Sequence, residues 1–299
     1  MLEYYYIHFD VNTYANNCTQ NIKRVYTKLD KYLENPTKDN IHHMRTSLRR
    51  LEATYQSSPK QIRKKKKIKE FASVGKRLFK INSNIRDIDI ILEKLAKEGK
   101  MPEQQLEYYE NPLVQNRENQ LEEARTIALD LRDIVVPSLY DKNKTEKNFE
   151  GSSIKRLAKI SRKLKKNIQK RIPIVIGDDS RIMELHELRK DSKKLRYLIE
   201  LVTNKEDGDT SKKNINDDTN VLIHNNNHKI LEHLEKIQGM LGDIHDYDIA
   251  LDYLRQYQAS NNPLITSTIA NVTKVRKAKF NDFINYGKST RTLVVNGGL

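Results

Sequence analysis

A single cysteine, Cys18, in 299 residues excludes an internal disulfide framework and argues against a cysteine zinc site. Tryptophan is absent, and seven prolines and ten glycines are few for this length. A β-sandwich or barrel needs more turn residues than that. No apolar run approaches the roughly 20 residues that span a bilayer. The first ten residues, MLEYYYIHFD, carry neither a basic n-region nor an apolar h-region, so the expectation is a cytoplasmic protein. Also missing are a P-loop, a glycine-rich nucleotide loop, a nucleophile elbow and paired catalytic carboxylates. No catalytic constellation is visible, and neither a cofactor nor a resident metal is expected.

What the chain has is positive charge. Lys and Arg number 55 against 40 Asp and Glu, a net +15, while hydrophobic residues make up 37%. Such a surplus is either neutralised by a partner or repels itself in the folded state. Nucleic acid, inorganic polyphosphate and anionic lipid are the candidate partners. The length suits two packed halves better than one simple domain.

Helical periodicity dominates. The spacing predicts helices over about Val11–Glu34, Thr37–Gln56, a long segment after Pro59 to about Lys97, and Gln115–Tyr140. A second set follows over about Ser152–Arg171, Asp179–Val202, Ile223–Gln258 and Pro263–Tyr286. Residues 204–228 are rich in Asn and Asp and read as a solvated loop; 141–150 read as a polar linker.

The chain also repeats itself. His42-His43-Met44-Arg45-Thr46-Ser47-Leu48-Arg49-Arg50 matches His186-Glu187-Leu188-Arg189-Lys190-Asp191-Ser192-Lys193-Lys194, with His, Arg and two basic residues at the same offsets. Downstream, Arg86-Asp87-Ile88-Asp89-Ile90 matches His245-Asp246-Tyr247-Asp248-Ile249. The distance from His to the first Asp is 45 residues in one copy and 60 in the other, and the loop at 204–228 absorbs the difference. The reading is a duplicated four-helix unit, residues 1–145 and 146–299, in an all-α protein.

At about 100° per residue, His42, Arg45 and Arg49 fall within about 60° of one another, and His186, Arg189, Lys193 and Arg196 within about 80°. Lys65, Lys69, Lys76 and Lys80 form another stripe, opposite Phe71, Val74, Leu78 and Ile81. The clearest case is Lys155, Lys159, Arg162, Lys166 and Lys170, opposite Leu157, Ile160, Leu164 and Ile168. From Ile154 to Ile172 there are nine basic residues and no acidic one. Ordinary surface helices mix signs so that i,i+4 pairs offset repulsion. Single-sign stripes point to a surface that expects an anion. Arg presents a planar fork to phosphate oxygens, and Lys a mobile point charge.

Blander readings apply elsewhere. Lys64–Lys67 point all round their helix and read as a solvated run. His43 has no counterpart in the second copy. Asp87, Asp89, Asp246 and Asp248 read as partners of nearby Arg or Lys that hold helices in register. The dipeptide His245-Asp246 also occurs in all-helical HD phosphohydrolases, but its first-half counterpart is Arg86-Asp87, and Arg cannot ligate a metal.

The paired motifs, above all HELRKDSKKLRYLIEL (186–201) and LGDIHDYDIAL (241–251), resemble the CHAD family, the conserved histidine α-helical domain. The resemblance covers nearly the whole chain. It implies two four-helix bundles related by an internal pseudo-twofold axis, with a basic central cavity that binds inorganic polyphosphate without catalysis. It also implies an association with polyphosphate granules. The polyphosphate-binding residues carried over are His42, Arg45, Arg49 and Arg50, and His186, Arg189, Lys193, Lys194 and Arg196. The helical wheel extends the set to Lys76, Lys80, Arg162, Lys163 and Lys166. No Glu-x-Glu-x-Lys strand motif of a fused triphosphate-tunnel enzyme precedes the helices, so the chain reads as a stand-alone version. Lys193-Lys194 stand where the first copy has Arg49-Arg50, so the two halves need not bind equally. Nucleic acid is the alternative ligand, although the tyrosines lie mostly outside the basic stripes. A metal-dependent phosphohydrolase is the third reading.

Overall fold

In the computed structural model, residues 11–99, 102–137, 147–203, 218–257 and 262–289 are described, and their regular structure is entirely α-helical. The helices are α1 (Val11–Glu34), α2 (Lys38–Ser57), the single turn α3 (Lys60–Arg63), α4 (Lys66–Glu98), α5 (Glu103–Asp133), α6 (Lys147–Gly177), α7 (Ile182–Glu200), α8 (Asp218–Arg255) and α9 (Pro263–Ser289). Among the described residues no helix is long and apolar enough to cross a membrane.

The eight expected helices are all present, and α3 is an extra turn between Pro59 and α4. The main departures occur at prolines. The fourth expected helix starts at Glu103, behind Pro102, and runs through Pro112. The fifth continues through Pro173 to Gly177. An interior proline costs about 3 kcal/mol. Here Tyr109 and Leu113 flank Pro112, Ile172 and Val175 flank Pro173, and all four are buried. Fully burying a large apolar side chain contributes roughly 1.5–3 kcal/mol, so packing overrides the proline.

Helix α5 stops at Asp133 rather than Tyr140. Tyr26 of α1 donates its hydroxyl to the Ile134 carbonyl at 2.5 Å and accepts from the Val136 N–H at 3.3 Å, which holds the following segment extended. Of the polar linker, residues 141–146 lie outside the described residues; 147–150 are already in α6. Of the expected solvated loop, 204–217 lie outside the described residues, and 218–228 form the first turns of α8.

Helices α1, α2, α4 and α5 bury one apolar core, including Leu29, Met44, Leu78 and Leu131. A second core, including Leu164, Leu188, Leu241 and Phe283, gathers α6 to α9 and takes Tyr14 and Cys18 from α1. A third cluster joins α4 and α5 to α8 and α9 through Ile88, Leu95 and Leu113 against Tyr247, Leu251 and Val272. Across the molecule, α2 packs on α7 and α4 on α8. These are the helices that carry the matching motifs.

Two buried ion pairs repeat at one spacing. Asp89, 1% exposed, accepts from Arg117 Nε at 2.7 Å, 28 residues on. Asp248 accepts from Arg276 Nε, also 28 residues on, and Arg276 Nη2 reaches the Asp179 carbonyl at 2.9 Å. The first pair fastens α4 to α5 and the second fastens α8 to α9. The expected register role thus applies to Asp89 and Asp248.

Removing one partner of a buried pair leaves the other charge uncompensated, at about 3–5 kcal/mol. Arg276→Ala should therefore destabilise the protein by that amount, measured by urea unfolding. The exposed-helix control Lys277→Ala should change stability by less than about 0.5 kcal/mol.

Candidate functional site

Helix α2 begins where Thr37 accepts from the Asn40 N–H at 3.2 Å, satisfying one of the free amides of its first turn. Ile41, Met44, Leu48 and Leu51 then enter the first core. That burial fixes the rotation of the helix, so Arg45 and Arg49 turn toward α7. In α7, Leu185, Leu188, Leu195 and Leu198 do the same in the second core. Arg189 and Lys193 are thereby turned toward α2. A close approach brings in α4: a Cβ on Gly75 would lie only 3.1 Å from Leu51 Cδ2 and 3.2 Å from Leu48 Cδ2. Glycine there lets α4 seat Lys76 and Phe79 beside Arg49.

The result is a cavity of about 340 Å³ between α2, α4 and α7, lined on its basic side by Arg49, Lys76, Lys190, Lys193 and Lys194. Glu52 is the one acidic residue in the lining. Four residues expected from three separate stretches of sequence therefore meet in one place. A second cavity of about 300 Å³ between α2 and α4 shares Glu52, Gln56, Lys76 and Phe79 with the first and adds Lys69.

Arg45 and Arg189 occupy equivalent positions in the two copies. Each has its guanidinium Nε buried with no hydrogen-bond partner among the described residues. Gly242 of α8 leaves room beside Arg189, whose Nε would be 4.0 Å from a Cβ there. Arg45 has mostly cationic neighbours, whereas Arg189 has Asp246 and Asp87 beside it as well as Arg49. Burial, then Arg49, lowers the Arg45 basicity to about 10, with Arg189 and Arg86 adding to the effect and Asp87 opposing it. Arg49 and Arg189 are lowered too, chiefly by burial. Lys193 is pushed down to about 5, first by burial, then by Arg189, Arg49 and Arg45, with Asp246 opposing.

His186 and His245 of the second copy meet beside this cluster, their rings tilted by 53°. His186 Nδ1 lies 3.4 Å from His245 Nδ1, with ring centroids 4.6 Å apart. Burial and then Arg189 hold His245 at about 3. His42 and His186 are also lowered, mainly by partial burial. Asp87 acts on Arg45 and Arg189, Asp246 on Arg189 and Lys193, and Glu52 on Arg49. The Asp87 and Asp246 carboxyls are raised by burial, against the pull of Arg189 and other cations, with Asp246 adding to the rise at Asp87.

Not every expected residue joins the cluster. Arg50 Nε donates to Glu200 at 2.8 Å, and Arg196 lies 3.0 Å from the same carboxylate and 3.4 Å from Glu235. Arg196 also donates to Gln238 at 3.0 Å. These two form a neutralised tie between α2, α7 and α8. Lys80 is exposed on α4 and does not line the cavity. Arg162, Lys163 and Lys166 are exposed on α6, and none of them lines it either.

Sequence reading missed Phe79 and Tyr197, which sit inside the basic site. Arg49 lies 4.9 Å and Arg45 5.9 Å from the Phe79 centroid; Arg196 and Arg50 lie 4.6 and 5.6 Å from that of Tyr197. It also assigned no binding role to Arg86, Asp87, His245 or Asp246. The matching offsets of Arg86-Asp87 and His245-Asp246 were the available signal. Among the described residues, no three His, Cys, Asp or Glu side chains gather as a metal-holding group.

A family model described as the CHAD domain matches residues 20–215. No curated protein matches the chain. Among solved structures, the crystal structure of the CHAD domain from the plant Ricinus communis matches with a TM-score of 0.55. The match covers 93% of this chain and 86% of that chain at 14% sequence identity. At that identity it shows a shared all-α fold.

The depressed Lys193 has a consequence for stability. Unfolded, a lysine is protonated below its ordinary value of 10.5; in this site it stays neutral down to about 5. The unfolded state binds the extra proton, so this group's contribution to stability falls as pH drops from about 10 to about 5. Lys193→Met should raise the melting temperature of the ligand-free protein at pH 7 by about 2–4 °C for each kcal/mol recovered. The gain should shrink toward pH 10 in calorimetric scans. A variant no more stable than the parent at pH 7 would contradict the crowding of charge at this position.

Proposed function

The chain belongs to the CHAD domain family, and we propose that it binds inorganic polyphosphate, without catalysis, in the basic cleft between its two halves. In this reading residues 1–145 and 146–299 are duplicated four-helix bundles about a pseudo-twofold axis, with α2 and α7 facing each other across it. The observation that carries the proposal is the matched pair Arg45 and Arg189, each with a buried Nε and no acceptor among the described residues. An unsatisfied buried donor costs about 1–3 kcal/mol, more when charged. Phosphate oxygens supply the missing acceptors and suit the planar guanidinium fork.

The mixture of cations favours a chain of phosphates over one small anion. Arg49, Lys76, Lys193 and Lys194 line one cavity, and Arg45 and Arg189 act electrostatically on Lys193. The aromatic residues argue against base stacking as the main mode. Single-strand readers offer open aromatic faces, but guanidinium groups already lie over Phe79 and Tyr197. A protein that accommodates its ligand this way would reside with polyphosphate in the cytoplasm, including at granules.

Bound polyphosphate also brings anionic oxygens to Lys193, so binding at pH 7 should take up a proton. The heat of binding should then vary with the ionisation enthalpy of the buffer, and Lys193→Met should remove that dependence. Arg45→Ala combined with Arg189→Ala should weaken polyphosphate binding by at least about a hundredfold, taking 1.5–3 kcal/mol per charge-assisted bond. Helicity by circular dichroism should be unchanged. Titrations against RNA at equal phosphate concentration, over a salt series, complete the test. Unaltered polyphosphate affinity in the double variant, or RNA displacing polyphosphate, would refute the assignment.

A further inference from the structure

Helix α6 faces the second core with Leu157, Leu164, Ile168 and Ile172. Its other side is a row of cations. Lys155, Lys159, Arg162, Lys163, Lys166 and Lys170 are all exposed, and no acidic residue occurs between Ile154 and Ile172. Among the described residues none of the six has an ion pair, whereas Arg171 further along the helix is paired with Asp191. At 1.5 Å per residue the row from Lys155 to Lys170 is about 22 Å long. It is straight, because positions 155, 159, 162, 166 and 170 fall within about 80° on the helix.

This row meets the cleft through Gln56. That residue lines both cavities. Its backbone carbonyl accepts from Arg156 Nε of α6. Nearby, Arg63 Nε donates to the Ser58 carbonyl at 3.1 Å. Two guanidinium groups thus cover the carbonyl end of α2, where the helix dipole favours cations. The path runs from Arg49 and Lys193 past Lys76 and Lys69 to Gln56 and Arg156, and then onto the exposed face of α6.

We propose that this face of α6 is a second contact surface for the same polyphosphate chain after it leaves the cleft, an inference that rests on the polyphosphate reading above. The face holds long chains and leaves short ones untouched. Its chemistry fits a uniform phosphate backbone. No aromatic residue occurs between Ile154 and Ile172, so nothing there stacks on bases. The apolar side of the helix is committed to the core, so it has no wedge to insert into a lipid surface.

The test is the full chain carrying Lys159→Gln, Arg162→Gln, Lys166→Gln and Lys170→Gln, titrated with tripolyphosphate, with long-chain polyphosphate and, separately, with RNA. All four positions are exposed, and unchanged circular dichroism checks the fold. Long-chain affinity should fall by at least about tenfold, and the salt slope should shrink by about 3 for four cations removed. Tripolyphosphate affinity should stay within about twofold, because the cleft is intact. Unchanged long-chain affinity overturns the proposal, as does a parallel loss for both ligands, which would mark a general field effect. Loss of RNA binding with polyphosphate binding unchanged overturns it in favour of a nucleic-acid surface. A parent protein that binds neither ligand defeats the functional reading itself. A parent that binds both, with the variant equal to it, defeats only the role of α6.

Discussion

The burial of two leucine-rich helix faces forces like charges together. Once Met44 and Leu48 occupy one core and Leu188 and Leu195 the other, the remaining faces of α2 and α7 have nowhere to point but at each other. Arg45, Arg49, Arg189 and Lys193 then crowd a space that excludes much of the water. Arg49 and Arg189 lower the basicity of Arg45, and all three arginines lower that of Lys193, which shows the mutual repulsion. The two apolar cores and the buried Asp–Arg pairs hold the helices in place against that repulsion. Where the same helices have an acid within reach, as with Arg50, Arg196 and Glu200, the charge is neutralised. The site therefore divides into a rim paired with Glu200 and a centre where, among the described residues, Arg45 and Arg189 each bury an Nε without a hydrogen-bond partner.

The Asp-x-Asp segment serves the same arrangement from the other side. Residues two apart on a helix point about 200° away from each other. In α4, Asp89 turns into the α4–α5 contact and pairs with Arg117, so Asp87 must turn the opposite way, toward Arg45 and Arg189. In α8, Asp248 pairs with Arg276 and Asp246 turns toward Arg189 and Lys193. One carboxylate in each copy fixes the angle of its helix, and its neighbour tempers the cationic cluster. The spacing of the motif therefore follows from helix geometry, with separate tasks for its two acids.

Much of this was legible in the sequence. Period-3.6 patterning located the helices, and the matched offsets linked His42 to His186 and Asp87 to Asp246. The elements that misled were the interior prolines, because a helix-breaking residue carries no record of the burial that outweighs it. The neutralised arginines misled for a similar reason. Arg50 and Arg45 look alike along the chain, and Glu200, which separates their roles, lies 150 residues from Arg50. Phe79 was read only as part of a helix; its place beneath Arg49 depends on Gly75, whose missing side chain sets how closely α4 can approach α2. Long-range pairings of this kind leave no local period to detect.

The difference between the copies at Arg49 and Lys193 has an electrostatic reason. The two residues occupy equivalent positions, and both face the crowded centre. An arginine keeps its proton at any ordinary pH, so two arginines there would leave the repulsion with no local release. A lysine can shed its proton when buried beside other cations, and Lys193, held at about 5, does so. With Lys193 neutral, the centre carries one charge fewer than two arginines would place there. A lysine in only one copy thus lowers the repulsion that two arginines would impose on the packed helices.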